Sequence, residues 1–349
     1  MNNKYKIFNI SYNDYYLRFF KFFSQINEKY DIKDILPDHE LNDFKNHEIE
    51  LNNNLKKIDT EHYCQKIEIY EDLFCKIKKA KINGLAYKAI SSIENNNTIS
   101  SNLKQFKPQN GYSQKPEYNN SSNISGRLTV HNGPNILILP KRCRTIFESR
   151  FNNGELLSLD FVNLEPRLCL KLVGKNINGD IYEEINKILE FDIDRSIIKR
   201  AIISILYGAN YDSLKNISSK KSRIIYETIK EYFNMDYLYE ISSLKDSLGI
   251  RRNFFGRPIW NLEEKRHNVI INNYIQSSAV DISLLYFYSL IKEINLEKAI
   301  PIFIVHDAIV FDIQKDYINT FTNIIKKGYN DKDLGNFPVS ISQFNKKCD

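Results

Sequence analysis

Apolar positions along this chain fall into two patterns, which predict different elements. From about Ile58 to Ile93 they recur at helical spacing, with Ile67, Tyr70, Phe74 and Ile77 on one face and Gly84 expected to divide the stretch into two helices. Elsewhere they form short, nearly continuous runs. ELLSLDF (155–161) is a β-prone run leading straight into Asp160. PIFIVHDAIVFDI (301–313) reads as two apolar strands hinged on His306-Asp307-Ala308. Residues 170–265 read as mostly helical, with one or two amphipathic helices in KSRIIYETIKEYFNMDYLYEISSLKDSL and a turn with a basic tip at FFGRPIW (254–260). A helix is expected from about Asn268 to Leu290, another near Tyr317–Lys327, and a last strand at PVSIS (338–342).

Three regions carry weaker patterns. In residues 1–60, Asn and Asp punctuate clusters such as Tyr15, Tyr16, Leu17 and Phe19, Phe20. Residues 94–125 are rich in Asn, Ser, Gln and Pro, the composition of a loop or linker. In SGRLTVHNGPNILILPKRCR, Arg127, Lys141, Arg142 and Arg144 bracket an apolar ILIL segment read as a short strand. Cations at both its ends fit phosphate contacts or an ordinary solvated edge.

One helical stretch stands apart. In RSIIKRAIISILYG, Arg195, Lys199, Ile203 and Tyr207 sit four residues apart and form one slowly winding row, with Gly208 ending the helix. The row is roughly 18 Å long. That length suits a nucleoside triphosphate, with cations at the phosphates and a ring beside the base. Plain amphipathicity would produce the same spacing; the row gains meaning from lying between Asp160 and Asp307. Each aspartate has an ordinary explanation too, as a helix cap or a turn residue.

Composition narrows the setting. The chain has 349 residues, a net charge of +6, 22 Tyr and 21 Phe, which suits a polyanionic partner without demanding one. Its five cysteines, Cys64, Cys75, Cys143, Cys169 and Cys348, are widely spaced, against a disulfide framework or a zinc site. No signal peptide is visible, and no apolar run approaches the ~20 residues of a membrane span. A soluble protein of a reducing compartment is expected, in the cytoplasm of a bacterial cell or phage-infected host.

Two aspartates at neighbouring strand ends can hold two divalent cations that clamp the attacking and leaving oxygens of a phosphoryl displacement. Oxygen ligands suit Mg²⁺ or Mn²⁺. No GxxxxGK[ST] loop is present, against ordinary ATPase chemistry.

The order and spacing of these segments resemble the DNA polymerase I-like (family A) polymerases. LDFVNLEPRL resembles their first palm motif, RSIIKRAIISILYG their nucleotide-binding fingers helix, and VHDAIVF their second carboxylate motif. SGRL (125–128), GDIYEEI (179–185), FGRP (255–258) and NNYIQSSAVDI (272–282) are smaller matches. The resemblance, from about residue 84 onward, implies an α+β right-hand fold with an antiparallel palm sheet and helical fingers and thumb. The thumb would be 1–125, the palm 126–169 plus 268–349, and the fingers 170–267. It implies catalytic Asp160 and Asp307, with Phe161 lending a backbone carbonyl to a metal site for two Mg²⁺. Glu165, Arg195, Lys199, Ile203 and Tyr207 would meet the incoming dNTP, with Glu165 excluding a ribose 2′-hydroxyl. Arg127, Arg142, Gly208, Asn272, Gln276 and His306 would meet DNA, His306 at the primer terminus.

The sequence departs from that pattern at several places. Ala308 replaces the acid that usually follows the HD pair, and Ile203 replaces a larger aromatic or apolar side chain. Leu137 and Ile138 stand where a polar pair is usual, and Asn268 where a template-strand arginine is usual. No second acidic constellation for a 3′–5′ exonuclease is seen, so synthesis without intrinsic proofreading, and of low fidelity, is expected. Partners would be primed DNA, dNTPs and an unidentified processivity or replisome factor, in replication or repair. Two alternatives remain open: a single-subunit phage-type RNA polymerase, against which Glu165 argues, and a non-catalytic nucleic-acid-binding relative.

Overall fold

A four-stranded antiparallel sheet organises the molecule. Its strands are β1 (Glu155–Phe161), β2 (Ala299–Val305), β3 (Ala308–Ile313) and β4 (Val339–Gln343), in the order β4-β1-β3-β2. The computed structural model describes residues 3–11, 36–177, 179–189, 191, 193–214, 221–262 and 265–346; the aromatic clusters at 15–20 and Cys348 lie outside these.

Most residues of the inner strands are apolar because both faces of the sheet are covered. Leu157, Leu159 and Phe161 of β1 and Ile309, Phe311 and Ile313 of β3 enter the larger core, while Leu156 and Val310 enter a smaller one. One inward polar group interrupts this pattern. Asp312 is fully buried, but its carboxylate accepts from Ser149 Oγ (2.5 Å) and from Arg150 N and Nε (both 2.9 Å), as a buried acid requires.

Against the larger core lies the long helix His267–Glu293, 27 residues and so about 40 Å long. Apolar residues surround most of its circumference because neighbours pack on several sides. The Phe161 ring meets Tyr286 edge-on at 5.3 Å, fixing this helix under the end of β1. Helices Tyr63–Lys76 and Met235–Ser243 pack along it.

The expected strands and long helix lie where their patterns place them, and three local expectations are corrected. ILIL is not a strand: Ile136–Ile138 is a 3₁₀ turn, followed by a second at Lys141–Ile146. Ile136 and Leu139 are buried three residues apart, a turn's spacing, and Asn135 Oδ1 accepts from Leu137 N at 3.0 Å. Residues 94–125 are not simply a linker. Helix Asn97–Lys104 starts at Asn96, whose side chain accepts from Thr98 N (3.0 Å) and Ile99 N (3.1 Å), and Leu103 and Phe106 enter the smaller core. FFGRPIW has no basic tip, because Arg257, in the loop that joins Arg251–Arg252 to Pro258–Ile259, is buried at 2% exposure. Gly84 does separate two helices, but as the first residue of Gly84–Ile93, after a short strand at Lys81–Ile82.

Candidate active site

The two aspartates reach one place through two left-handed backbone turns. β1 ends at Phe161, and Asn163 (φ 56°) swings the chain into helix Leu164–Leu172, whose first turn carries Glu165. Asparagine tolerates that conformation, and its Oδ1 also accepts from Tyr182 Oη at 2.8 Å. β2 and β3 are joined by His306-Asp307 alone, between the paired residues Val305 and Ala308. His306 has φ 57°, matching the positive φ that two-residue hairpin loops need. Asp160 pairs with Ala308, so Asp307 stands one residue from Asp160's partner, at the same end of the sheet.

Both aspartates line an open cleft of about 650 Å³. Phe161, Glu165, Lys199, Ile203, Tyr207, Arg127, Gln276 and His306 line it as well. Ten side chains expected from sequence are thus gathered from five separate stretches of chain.

The cleft charges its carboxylates unequally. Withdrawal from water, then the charge of Asp160, pushes Asp307 up to about 6. Asp160 also rises through withdrawal from water, moderated by Lys199 and Lys141. His306 is held below its ordinary value, first by withdrawal from water and then by Arg127 and Arg144. Neither aspartate has an ion-pair partner among the described residues. Two hard, unpaired carboxylates that repel each other are a donor set suited to divalent Mg²⁺ or Mn²⁺. Among the described residues no three or more His, Cys, Asp or Glu side chains are grouped closely enough to hold a metal ion by themselves.

Helix Arg195–Leu206 forms one wall. Asp194 caps it, accepting from Ser196 N at 2.7 Å. Ile198, Ala201, Ile202 and Ile205 are buried, turning Lys199 and Ile203 toward the cleft, with Tyr207 at the helix end. Gly208 N donates to Ile205 O and Ala209 N to Ser204 O, both at 2.8 Å, the paired bonds of a helix-ending glycine turn. Gly208 has φ 95°, and a Cβ there would lie 2.0 Å from Asn268 Nδ2, which donates to Gly208 O.

Tyr207, Glu165 and Arg127 interlock. Tyr207 Oη donates to Glu165 Oε2 (2.7 Å), while Arg127 Nη2 donates to Glu165 Oε1 (3.3 Å) and Tyr207 Oη (3.1 Å). Withdrawal from water, then the Glu165 charge, pushes the Tyr207 hydroxyl up to about 12.

Four expected residues lie outside the cleft lining. Arg195 forms a two-pronged ion pair with Asp180 (3.0 and 2.6 Å) and lies 4.7 Å over the Tyr182 ring. Arg142 pairs with Glu94 at 2.8 Å. Gly208 meets Asn268. Asn272, one turn before Gln276, has a buried amide oxygen without a partner among the described residues.

Sequence reasoning passed over Tyr182 and Asn163, both in the lining, where Leu137, one of the pair standing in place of the usual polar residues, is found as well. The Tyr182 signal was present in GDIYEEI, where Asp180 Oδ1 accepts from Tyr182 N at 2.8 Å and starts the helix Ile181–Ile188. A buried polar knot beneath the cleft was also missed. Asp281, fully buried, accepts from Tyr63 Oη (2.6 Å), Tyr70 Oη (2.9 Å) and Asn253 Nδ2 (2.6 Å). Arg257 donates to Tyr63 Oη (3.4 Å) and to Asn120 O (2.6 Å), with its guanidinium against Gly126, just before Arg127.

The cleft is set on a right-hand α+β fold, with the two aspartates at one end of its antiparallel sheet. The model of DNA polymerase family A matches residues 24–342, and the chain belongs to that family. No curated protein matches it. Among solved structures it is similar to the POL domain of Pol1 from M. smegmatis in complex with DNA primer-template and dNTP, with a TM-score of 0.59 and 17% identity. The match covers 71% of this chain and 50% of that one, so this chain spans about half the length of that structure. At that identity the likeness shows the fold.

Proposed function

We propose that this chain is a template-directed DNA polymerase that joins dNTPs to a primer 3′-hydroxyl. The observation that carries the proposal is one cleft lined together by Asp160, Asp307, Lys199, Glu165 and Tyr207. In this reading the sheet belongs to the palm (126–169 and 268–349), residues 170–267 are the fingers and 1–125 the thumb. Ala80–Phe106 share the smaller core with the sheet, so that part of 1–125 would move with the palm.

Asp160 and Asp307, with the Phe161 carbonyl, would hold the divalent ions. When bound, such ions supply charge neutralisation for the attacking and departing oxygens of a phosphoryl transfer. Lys199 neutralises the triphosphate, and Arg195 would join it on leaving Asp180. Glu165, held from two sides by Tyr207 and Arg127, stands as a fixed wall on the sugar side. Tyr207 and Ile203 flank the base. Gln276 and His306 face the duplex end and primer terminus. The same reading assigns these residues synthesis alone, without 3′–5′ editing.

The test is a labelled primer on a template of defined next base, offered each dNTP singly with Mg²⁺. Extension by one residue with the complementary dNTP alone is expected. No extension, or addition regardless of template, overturns the proposal.

A further inference from the structure

A stacked pair of rings adjoins Asn268, the residue that holds the carbonyl of Gly208 at the end of the cleft-wall helix. His267, the first residue of the long helix, lies face to face with Tyr239 of helix Met235–Ser243, with centroids 3.6 Å and planes 17° apart. His267 is exposed and Tyr239 half-buried. A pair serving only the core would hide both rings; this one offers an aromatic surface to solvent.

Its position connects it to the cleft. Asn268, the next residue, holds the carbonyl of Gly208, which follows Tyr207 in the lining. Along the long helix, His267 precedes Gln276, another lining residue, by nine positions, or about 13 Å. Lys265 and Arg266 are exposed immediately before the pair and have no ion-pair partner among the described residues. Glu263 and Glu264, before them, lie outside the described residues.

We propose that the His267–Tyr239 stack is a platform on which an unpaired base of the template strand stacks, just beyond the nucleotide cleft. This rests on the polymerase reading and extends it to the single-stranded template. Stacking needs only the π-face that every base has, so the platform accepts any sequence, while nearby cations meet the backbone. Asn268 is neutral and donates to Gly208 O, so the positive charge beside the stack comes from Lys265 and Arg266.

Affinity is measured by fluorescence anisotropy for two DNAs sharing one duplex, one with a long 5′ template overhang and one blunt. His267→Ala should weaken binding of the overhang substrate by about 5-fold or more and leave the blunt duplex unchanged. His267→Phe should restore it. His267→Leu, which keeps bulk over Tyr239 but removes the π-face, should show the same selective loss. Equal loss on both substrates, or no loss on either, overturns the platform. Templated extension by the wild-type protein, assayed in parallel, tests the polymerase reading separately.

Discussion

At the scale of single residues, Asp307 carries the sharpest prediction. Its ordinary value of 3.8 rises to about 6 because the folded cleft withholds water and sets it beside Asp160. The folded, metal-free protein therefore favours the protonated acid. The stability contribution of this group is full below pH 4 and is lost as pH rises through 6. Asp307→Asn should accordingly stabilise the metal-free protein at pH 8, on the order of 1–2 kcal/mol, with the difference vanishing near pH 4. Urea unfolding at a series of pH values measures it; a difference that grows toward acid would contradict the assignment. Glu165 gives a second prediction. Tyr207 and Arg127 fix its carboxylate, so Glu165→Ala opens the wall on the sugar side. Incorporation of rNTPs relative to dNTPs should rise about 10-fold or more, given what removing one fixed contact does to discrimination. An unchanged ratio would remove Glu165 from sugar selection.

At the scale of elements, the patterns were legible where burial is dictated by position along one element. β1 runs over Glu155–Phe161 as its apolar run requires, and the long helix runs over His267–Glu293, extending its expected span at both ends. The turn at His306-Asp307 was legible because a charged pair between apolar strands must leave the sheet. What was not legible depends on partners distant in sequence. Arg257 looks like a surface cation until Asn120 and Tyr63 surround it. Arg195 looks free until Asp180 and Tyr182 claim it. Leu103 and Phe106 sit in polar surroundings whose composition hides their spacing. The Arg195–Leu206 helix makes its own prediction through Gly208. Gly208→Ala places a Cβ against Asn268 in a left-handed backbone, and should cost about 1–3 kcal/mol of stability. Pairing it with Asn268→Gly should recover part of the loss in chemical unfolding. Full stability of the single variant would mean that the helix end relaxes without cost.

At the scale of the whole molecule, the cleft is held from beneath by the knot at Asp281. Tyr63 and Tyr70 come from the N-terminal helical region, Asn253 and Arg257 from the hairpin before the long helix, and Asn120 from the segment leading to Arg127. Arg127 in turn reaches Glu165 and Tyr207, so packing far from the cleft sets its wall. Burial raises Asp281 despite the Arg257 charge and the hydroxyl and amide donors around it. Asp281→Ala would strand those donors, and a loss of roughly 3–5 kcal/mol is expected. Asp281→Asn, which keeps the shape, should lose less. Among the described residues no helix is long and apolar enough to cross a membrane.

In the proposed function, Asp160 and Asp307 would together perform phosphoryl transfer on primed DNA. The most direct test is single-turnover extension of a primed template with the complementary dNTP and Mg²⁺ by the wild-type protein and by Asp160→Ala and Asp307→Ala. Either substitution should slow extension by about 10³-fold or more, with primer-template affinity within a few-fold of wild type. Extension near the wild-type rate by either variant would contradict it.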